Sequence, residues 1–209
     1  MSYQFDEVIT SLARIRELLG TPSERAIKKE RSQLERHSRA FIAKSPFVLI
    51  ASSDAGGHLD VSPKGDPPGF VRVLDDSTLA IPDRLGNRRV DGLRNILDNP
   101  HVGLLFLVPG REESLRVNGR AQIVRDQALN NSLRVAGKAP ELAIVVAVEQ
   151  VFMHCAKCLI RSAMWKASTW PPPDALASLA ECLVEQAGLT DPVATVHAAL
   201  ENDKRERLY

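Results

Sequence analysis

The sequence predicts an α+β fold, mainly β: a small barrel of six or seven antiparallel strands with helices flanking it at both ends. Three observations carry that reading. Short apolar and β-branched runs, several with two-residue alternation, recur between residues 47 and 154. Gly- and Asp-containing turns separate the first of them at hairpin spacing. Three- and four-residue apolar periodicity is concentrated at the two ends of the chain, apart from one capped segment in the middle of the strands.

The elements follow in order. Phe5, Val8, Ile9, Leu12, Ile15 and Leu19 predict a first helix, stopped by Gly20-Thr21-Pro22. Ser23 is placed to cap a second helix from Glu24 to about Lys44, mostly charged, with Ile27, Leu34, Phe41 and Ile42 as a thin stripe. Residues 47–51 read as a buried strand, Asp54-Ala55-Gly56-Gly57 as a hairpin turn and residues 58–61 as the return. Two adjacent prolines and two glycines predict an irregular loop over residues 62–69. Residues 70–74 and 78–81 form a second hairpin about Asp75-Asp76. Asn87 is placed to cap a helix from Arg88 to about Leu97, closed by Asn99-Pro100. Residues 101–108 are a continuous apolar strand. Residues 115–124 alternate, with Leu115, Val117, Gly119, Ala121 and Ile123 on one face. A short helix over 126–135, a long β-branched strand over 142–153 and a short helix from Cys155 follow. Beyond Pro171-Pro172-Pro173, two amphipathic helices are broken at residues 188–192. The organisation is therefore N-terminal helices packed on the barrel (1–45), a barrel (46–170) and a C-terminal helical extension (171–209).

Composition excludes several classes. With 209 residues, 44% hydrophobic and 25% charged, the chain is neither disordered nor a disulfide-dense miniprotein. Lys+Arg 27 against Asp+Glu 26 leaves +1, so no global field draws it to nucleic acid, and no such partner is expected. No apolar run approaches the roughly 18–20 residues that span a bilayer. Three cysteines and no signal-peptide pattern fit a cytoplasmic protein without membrane association.

Two segments carry candidate chemistry. In residues 81–89 a strand runs through a glycine-bearing turn into a helix start holding Asn87, Arg88 and Arg89. A helix N-terminus offers unpaired N–H groups, and guanidiniums match phosphate oxygens. Cations there are unfavourable without an anion to offset them. Either a phosphate binds there or the two arginines are solvated surface residues. The 62–69 loop, with Lys64, either presents backbone amides to the edge of a planar heteroaromatic ring or is a rigid connecting turn.

The ordered succession from Asp60 to Val124 resembles the pyridoxamine 5′-phosphate oxidase-like family of FMN-binding split barrels. The match runs through Val71-Arg72-Val73-Leu74, an acidic turn, Leu79-Ala80-Ile81, Leu85-Gly86-Asn87-Arg88-Arg89 and a helix ending Asp98-Asn99-Pro100. It continues through His101-Val102-Gly103-Leu104-Leu105-Phe106 and Leu115-Arg116-Val117-Asn118-Gly119-Arg120-Ala121. The 62–69 loop is similar to that of an uncharacterised bacterial branch. The resemblance implies a homodimer with FMN at the subunit interface and a small-molecule substrate. It implies that Arg88 and Arg89 bind the phosphate, with Asn87 capping. Residues around Val71, Arg72, Pro82 and Asp83 would line the ribityl chain and ring. Ser62 and Lys64 would meet the ring's polar edge, and Arg116 and Asn118 would reach in from the partner subunit.

The departures bear on substrate. Pyridoxamine phosphate oxidases carry an Arg-X-His clamp and an Arg-Leu-Ala-Pro end; here Arg161-Ser162-Ala163 lacks the His and Arg207-Leu208-Tyr209 follows extra helices. That argues against a vitamin B6 substrate. Cys155-Ala156-Lys157-Cys158 lacks the second pair that a structural zinc site needs, leaving a redox dithiol or two ordinary helix residues. The expected function is a flavin-dependent oxidoreductase on a small organic substrate. The alternatives are a non-catalytic flavin-binding or redox-sensing protein, or a split barrel that binds haem or a deazaflavin.

Overall fold

The computed structural model describes residues 3–209; the helix expected at the N-terminus lies, for Met1 and Ser2, outside the described residues. The fold is a seven-stranded antiparallel split barrel. Its strands are β1 (Phe47–Ser53), β2 (Leu59–Gly65), β3 (Arg72–Val73), β4 (Thr78–Asp83), β5 (His101–Leu107), β6 (Ser114–Val124) and β7 (Leu142–His154), in the order β2-β1-β5-β6-β7-β4-β3. Alternate residues point inward, so Val48, Ile50, Leu104, Phe106, Leu115 and Val117 fill the interior. The other face of β1 and β5 stays half-exposed.

The long β6–β7 pair needs a bend. Its register shifts between Asn118 and Gly119, and this bulge sets the curvature. A β-carbon at Gly119 would lie 2.1 Å from the Ala147 carbonyl oxygen, so only glycine fits.

The N-terminal segment differs from expectation. α1 (Leu12–Leu19) and α2 (Glu24–Lys28) carry the Ser11 and Ser23 caps, but neither buries a residue. The long second helix breaks after α2. Residues 29–35 cross to the barrel, where Arg31 and Val151 exchange backbone hydrogen bonds of 3.0 and 2.8 Å. Helix resumes as α3 (Arg36–Lys44), with Glu35 accepting from the His37 and Ser38 amides. The charged run 28–31 offers a helix no apolar face, whereas the break lets Leu34 and Ile42 both enter the core.

Two further expectations are corrected. The segment 62–65 is not irregular: β2 runs through it, with Ser62, Pro63 and Lys64 paired to Ile50, Leu49 and Val48. Pro63 is tolerated because β2 is an edge strand, where a missing donor leaves no neighbour unpaired. The loop is confined to residues 66–71, and Phe70 and Val71 are core residues outside any strand. Secondly, the mid-sheet helix α4 (Asp91–Asp98) starts three residues later than predicted. Arg88 and Val90 adopt left-handed backbone (φ 61° and 55°), which ends helical continuity before Asp91. Asn87 caps no helix; its side-chain oxygen accepts from the Arg89 amide at 3.0 Å, closing a turn. α5 (Gln127–Ser132) lies between β6 and β7; after β7 come α6 (Lys157–Arg161), α7 (Leu179–Gln186) and α8 (Val193–Glu206), with α7 opened by a Ser178–Glu181 capping box.

Replacing Gly119 with Ala is expected to destabilise the protein by about 3 kcal/mol, the upper end of the usual overpacking cost, because the obstacle is backbone. Urea denaturation measures it; a change within 0.5 kcal/mol would show that the bulge can relax.

Candidate functional site: a cleft between the edge hairpin and α4

The β1–β2 register places Ile50 opposite Ser62 and Ser52 opposite Asp60, all on the inward face. α4 lies across this hairpin, fastened by Asn95 Nδ2 to Ser52 Oγ at 3.3 Å and Asn99 Nδ2 to Ser53 Oγ at 2.8 Å. Gly92 lets the helix come close: a β-carbon there would sit 3.1 Å from Asp60 Oδ2. With the loop of residues 84–90 these elements enclose a cleft of about 420 Å³, within the size range of small-molecule sites.

The 84–90 loop is pinned at its root. Arg84 Nε donates to Asp66 Oδ2 at 2.6 Å and Arg84 Nη2 to the Leu133 carbonyl at 2.8 Å. The Asp66 side chain is 2% exposed and that of Arg84 16%, so this ion pair is largely dry. The Tyr209 ring lies 5.6 Å from the Arg84 guanidinium carbon. A hydrogen bond to Asp66, then burial, raises the Tyr209 phenol above its ordinary range. The C-terminal extension therefore touches the barrel where the cleft loop begins.

The remaining charges sort themselves by geometry. Lys64 Nζ pairs with Asp83 at 3.0 Å, and Arg89 Nε with Asp91 at 2.7 Å. Asp91, through a hydrogen bond and its charge, holds Arg89 more firmly protonated than a free arginine. Arg88 lines the cleft with no ion-pair partner among the described residues; it and Val90 are both left-handed, and the β-branched Val90 is the costlier of the two. α4 starts without a side-chain cap, and Asp91, Gly92 and Leu93 of its first turn also line the cleft. An unpaired guanidinium beside uncapped helix amides is a donor set suited to a phosphate or carboxylate oxygen.

Of the residues selected from sequence, Ser62, Lys64, Asp83, Asn87, Arg88 and Arg89 come together in this cleft. Val71 and Pro82 do not: both are buried, Val71 in the core and Pro82 opposite Ala143 within the sheet. Arg72 is turned away, with Nη2 donating to the Ser132 carbonyl at 3.3 Å. Arg116 and Asn118 stand on the opposite, outer face, where both donate to Gln150 Oε1 at 3.3 and 2.7 Å. Arg116 also lies 4.5 Å from the Phe152 ring centre, and its Nε is buried without a hydrogen-bond partner. Cys155 and Cys158 are free and exposed.

Sequence reading overlooked Ile50, Ser52, Gly92 and the Asp66–Arg84–Tyr209 cluster. The strand alternation of residues 47–53, extended through Pro63, would have found the first two; nothing local announces the cluster.

The family model for pyridoxamine 5′-phosphate oxidase matches residues 34–155, more than half of the chain. The chain belongs to the pyridoxamine 5′-phosphate oxidase family. The matched region covers all seven strands and the cleft. α1, α2 and the extension after residue 155 lie outside it. Among curated proteins none matches. Solved structures similar to this family member include HupZ of Group A Streptococcus (22% identity, TM-score 0.47, covering 57% of this chain and 93% of that one). An FMN-binding protein from Syntrophomonas wolfei is 9% identical, with TM-score 0.44, covering 69% and 97%. HutZ, a haem storage protein from Vibrio cholerae, is 14% identical, with TM-score 0.40, covering 58% and 94%. No helix among the described residues is long and apolar enough to cross a membrane.

Two outcomes test this geometry. Asp66→Ala leaves the Arg84 charge buried and is expected to cost about 3–5 kcal/mol in chemical denaturation. A loss under about 1 kcal/mol would mean that the pair is effectively solvated. On the outer face, His154 is held below its ordinary value by burial first, then by Arg116 and Lys29. A depressed histidine pKa means that the unfolded chain binds the proton first, so this contribution is full above the unfolded value of about 6.5 and falls as pH drops towards the folded one. Arg116→Met should move the NMR-detected His154 titration upward; an unchanged midpoint would remove Arg116 as a cause.

Proposed function

We propose that this protein binds FMN in the cleft between the edge hairpin and α4 and acts as a flavin-dependent oxidoreductase on a small organic substrate. The observation that carries the reading is Arg88, unpaired in a cleft whose other cations are already neutralised. Arg88 and the first-turn amides of α4 hold the phosphate, and Ser62 and Lys64 on β2 meet the polar edge of the ring. Asp60 bears negative charge in the same cleft, so it belongs beside a hydroxyl or ring N–H and away from the phosphate. Arg89 is a positioning residue: its bond to Asp91 and its turn with Asn87 set the loop that presents Arg88. When bound, the flavin supplies the hydride or electron transfer, while the protein supplies binding, orientation and field. The absence of a histidine at Arg161-Ser162-Ala163 supports a substrate other than vitamin B6.

The same reading makes the protein a homodimer through the outer face of β1, β5, β6 and β7. Leu59 and Val61 on the neighbouring edge strand are 79% and 57% exposed. Leu49 and Leu105 beside them are only half-buried. A second copy seated there would cover them and give Arg116 Nε an acceptor. Arg116 and Asn118 would then face the partner's cofactor.

An absorbance spectrum of the purified protein, with heat release of its chromophore, tests the cofactor. Flavin bands and about one FMN per chain are expected; a colourless protein that takes up no added FMN, or a Soret band, would overturn it. Arg88→Ala should weaken FMN by about 1.5–3 kcal/mol, the contribution of a charge-assisted bond. Arg89→Ala should weaken it less, and the reverse order would reassign the phosphate ligand.

A further inference from the structure

Residues 3–33 carry an exposed apolar stripe at one end of the chain. Leu12, Ile15 and Leu19 of α1 recur at three- and four-residue spacing and are 65%, 40% and 81% exposed. Before the helix, where the chain is irregular and not helical from Phe5 as expected, Tyr3, Phe5 and Val8 are exposed as well, at 82%, 70% and 70%. An amphipathic helix with its apolar face in water is unstable by itself, and packing of that face stabilises helices of this length. The barrel of the same chain does not cover it, since α1 buries nothing.

Where the segment joins the barrel identifies the occupant. It is rooted by the Arg31–Val151 bridge, and Lys29 donates to the Met153 carbonyl at 2.7 Å while lying 5.0 Å from the Phe152 ring centre. Phe152 stands on the outer sheet face, directly opposite Arg116. The arm therefore departs from the margin of the face on which a second copy would sit. Its charges are of mixed sign, and three ion pairs lie within the arm: Arg14 with Glu7 and Glu17, each at 2.8 Å, and Lys28 with Glu24. A lipid surface would select a basic polar face. An arm of mixed charge with an exposed apolar stripe suits the apolar flank of another protein.

We propose that the N-terminal segment, with α1 as its anchor, is an arm that docks its Leu12–Ile15–Leu19 stripe on the second copy of this chain. The inference rests on the homodimer reading and deepens it: the sheet faces make the centre of the interface, and the reciprocal arms close over its edges.

The test uses the full chain. Sedimentation over a concentration series gives the dimer dissociation constant, which the triple variant Leu12→Ser, Ile15→Ser, Leu19→Ser should raise roughly a hundredfold through lost apolar contact. Its thermal midpoint when monomeric should match that of the wild-type monomer, because these residues bury nothing within one chain. Independently, a photo-cross-linker installed as Leu19→p-benzoylphenylalanine should join isotope-labelled to unlabelled chains. A wild-type chain that sediments only as a monomer overturns the dimer reading. A dimer whose constant is unchanged by the triple variant, or whose cross-links stay within one chain, overturns the arm and leaves the dimer standing.

Discussion

At Gly119 the β6 backbone comes so close to the Ala147 carbonyl that no side chain fits between them. This contact permits the register shift at Asn118 and Gly119. The shift lets a strand pair of 11 and 13 residues bend instead of lying flat. Curved in this way, the sheet can carry β4 and β3 along one side of β7 and β5, β1 and β2 beyond β6, with one apolar filling between them. The inward alternation of every strand serves that closure. The cleft stands at the rim, where the edge hairpin meets the helix that follows β4.

Charge is distributed over the cleft in a consistent way. A buried guanidinium costs several kcal/mol unless it is paired, and Arg84 meets that requirement with Asp66 at the root of the loop. Lys64 and Arg89 take nearby carboxylates. The result is a loop held by its own ion pairs that presents one remaining cation beside helix amides. Two left-handed non-glycine residues in three positions add backbone strain to the same loop. Strain of this kind persists where the surroundings over-determine it, and it concentrates at binding sites.

The inner and outer faces of the sheet follow opposite logic. Inside, apolar residues are sealed from water; outside, Leu49, Leu105 and Phe152 are half-covered beside a fully desolvated Arg116 Nε. That face and the stripe of α1 are apolar surfaces that one chain leaves uncovered, and Lys29 and Arg31 tie the arm that carries α1 to the margin of the face. One association would relieve both. The C-terminal extension takes a different place, reaching the barrel through Tyr209 at the loop that shapes the cleft.

Local pattern determined much of this protein. Alternation and turn residues are encoded between neighbours, so strands β1, β4, β5, β6 and β7 were legible, as were the Ser23 cap and the break between α7 and α8. The order of motifs from Asp60 to Val124 identified the family and directed attention to residues 84–89. Tertiary structure decided what neighbours cannot encode. Pro63 lies in a strand because that strand is at an edge, and edge position depends on the whole sheet order. The helix expected from Glu24 to Lys44 broke because bridging to Val151 and burying Leu34 together outweigh helix propensity, which amounts to less than about 1 kcal/mol per residue. Val71 and Pro82 read as site residues by their place in the motif, yet they are packed inside. Arg88 and Arg89 are indistinguishable as letters. Asp91 lies within reach of one and not the other, and only the folded chain makes that distinction.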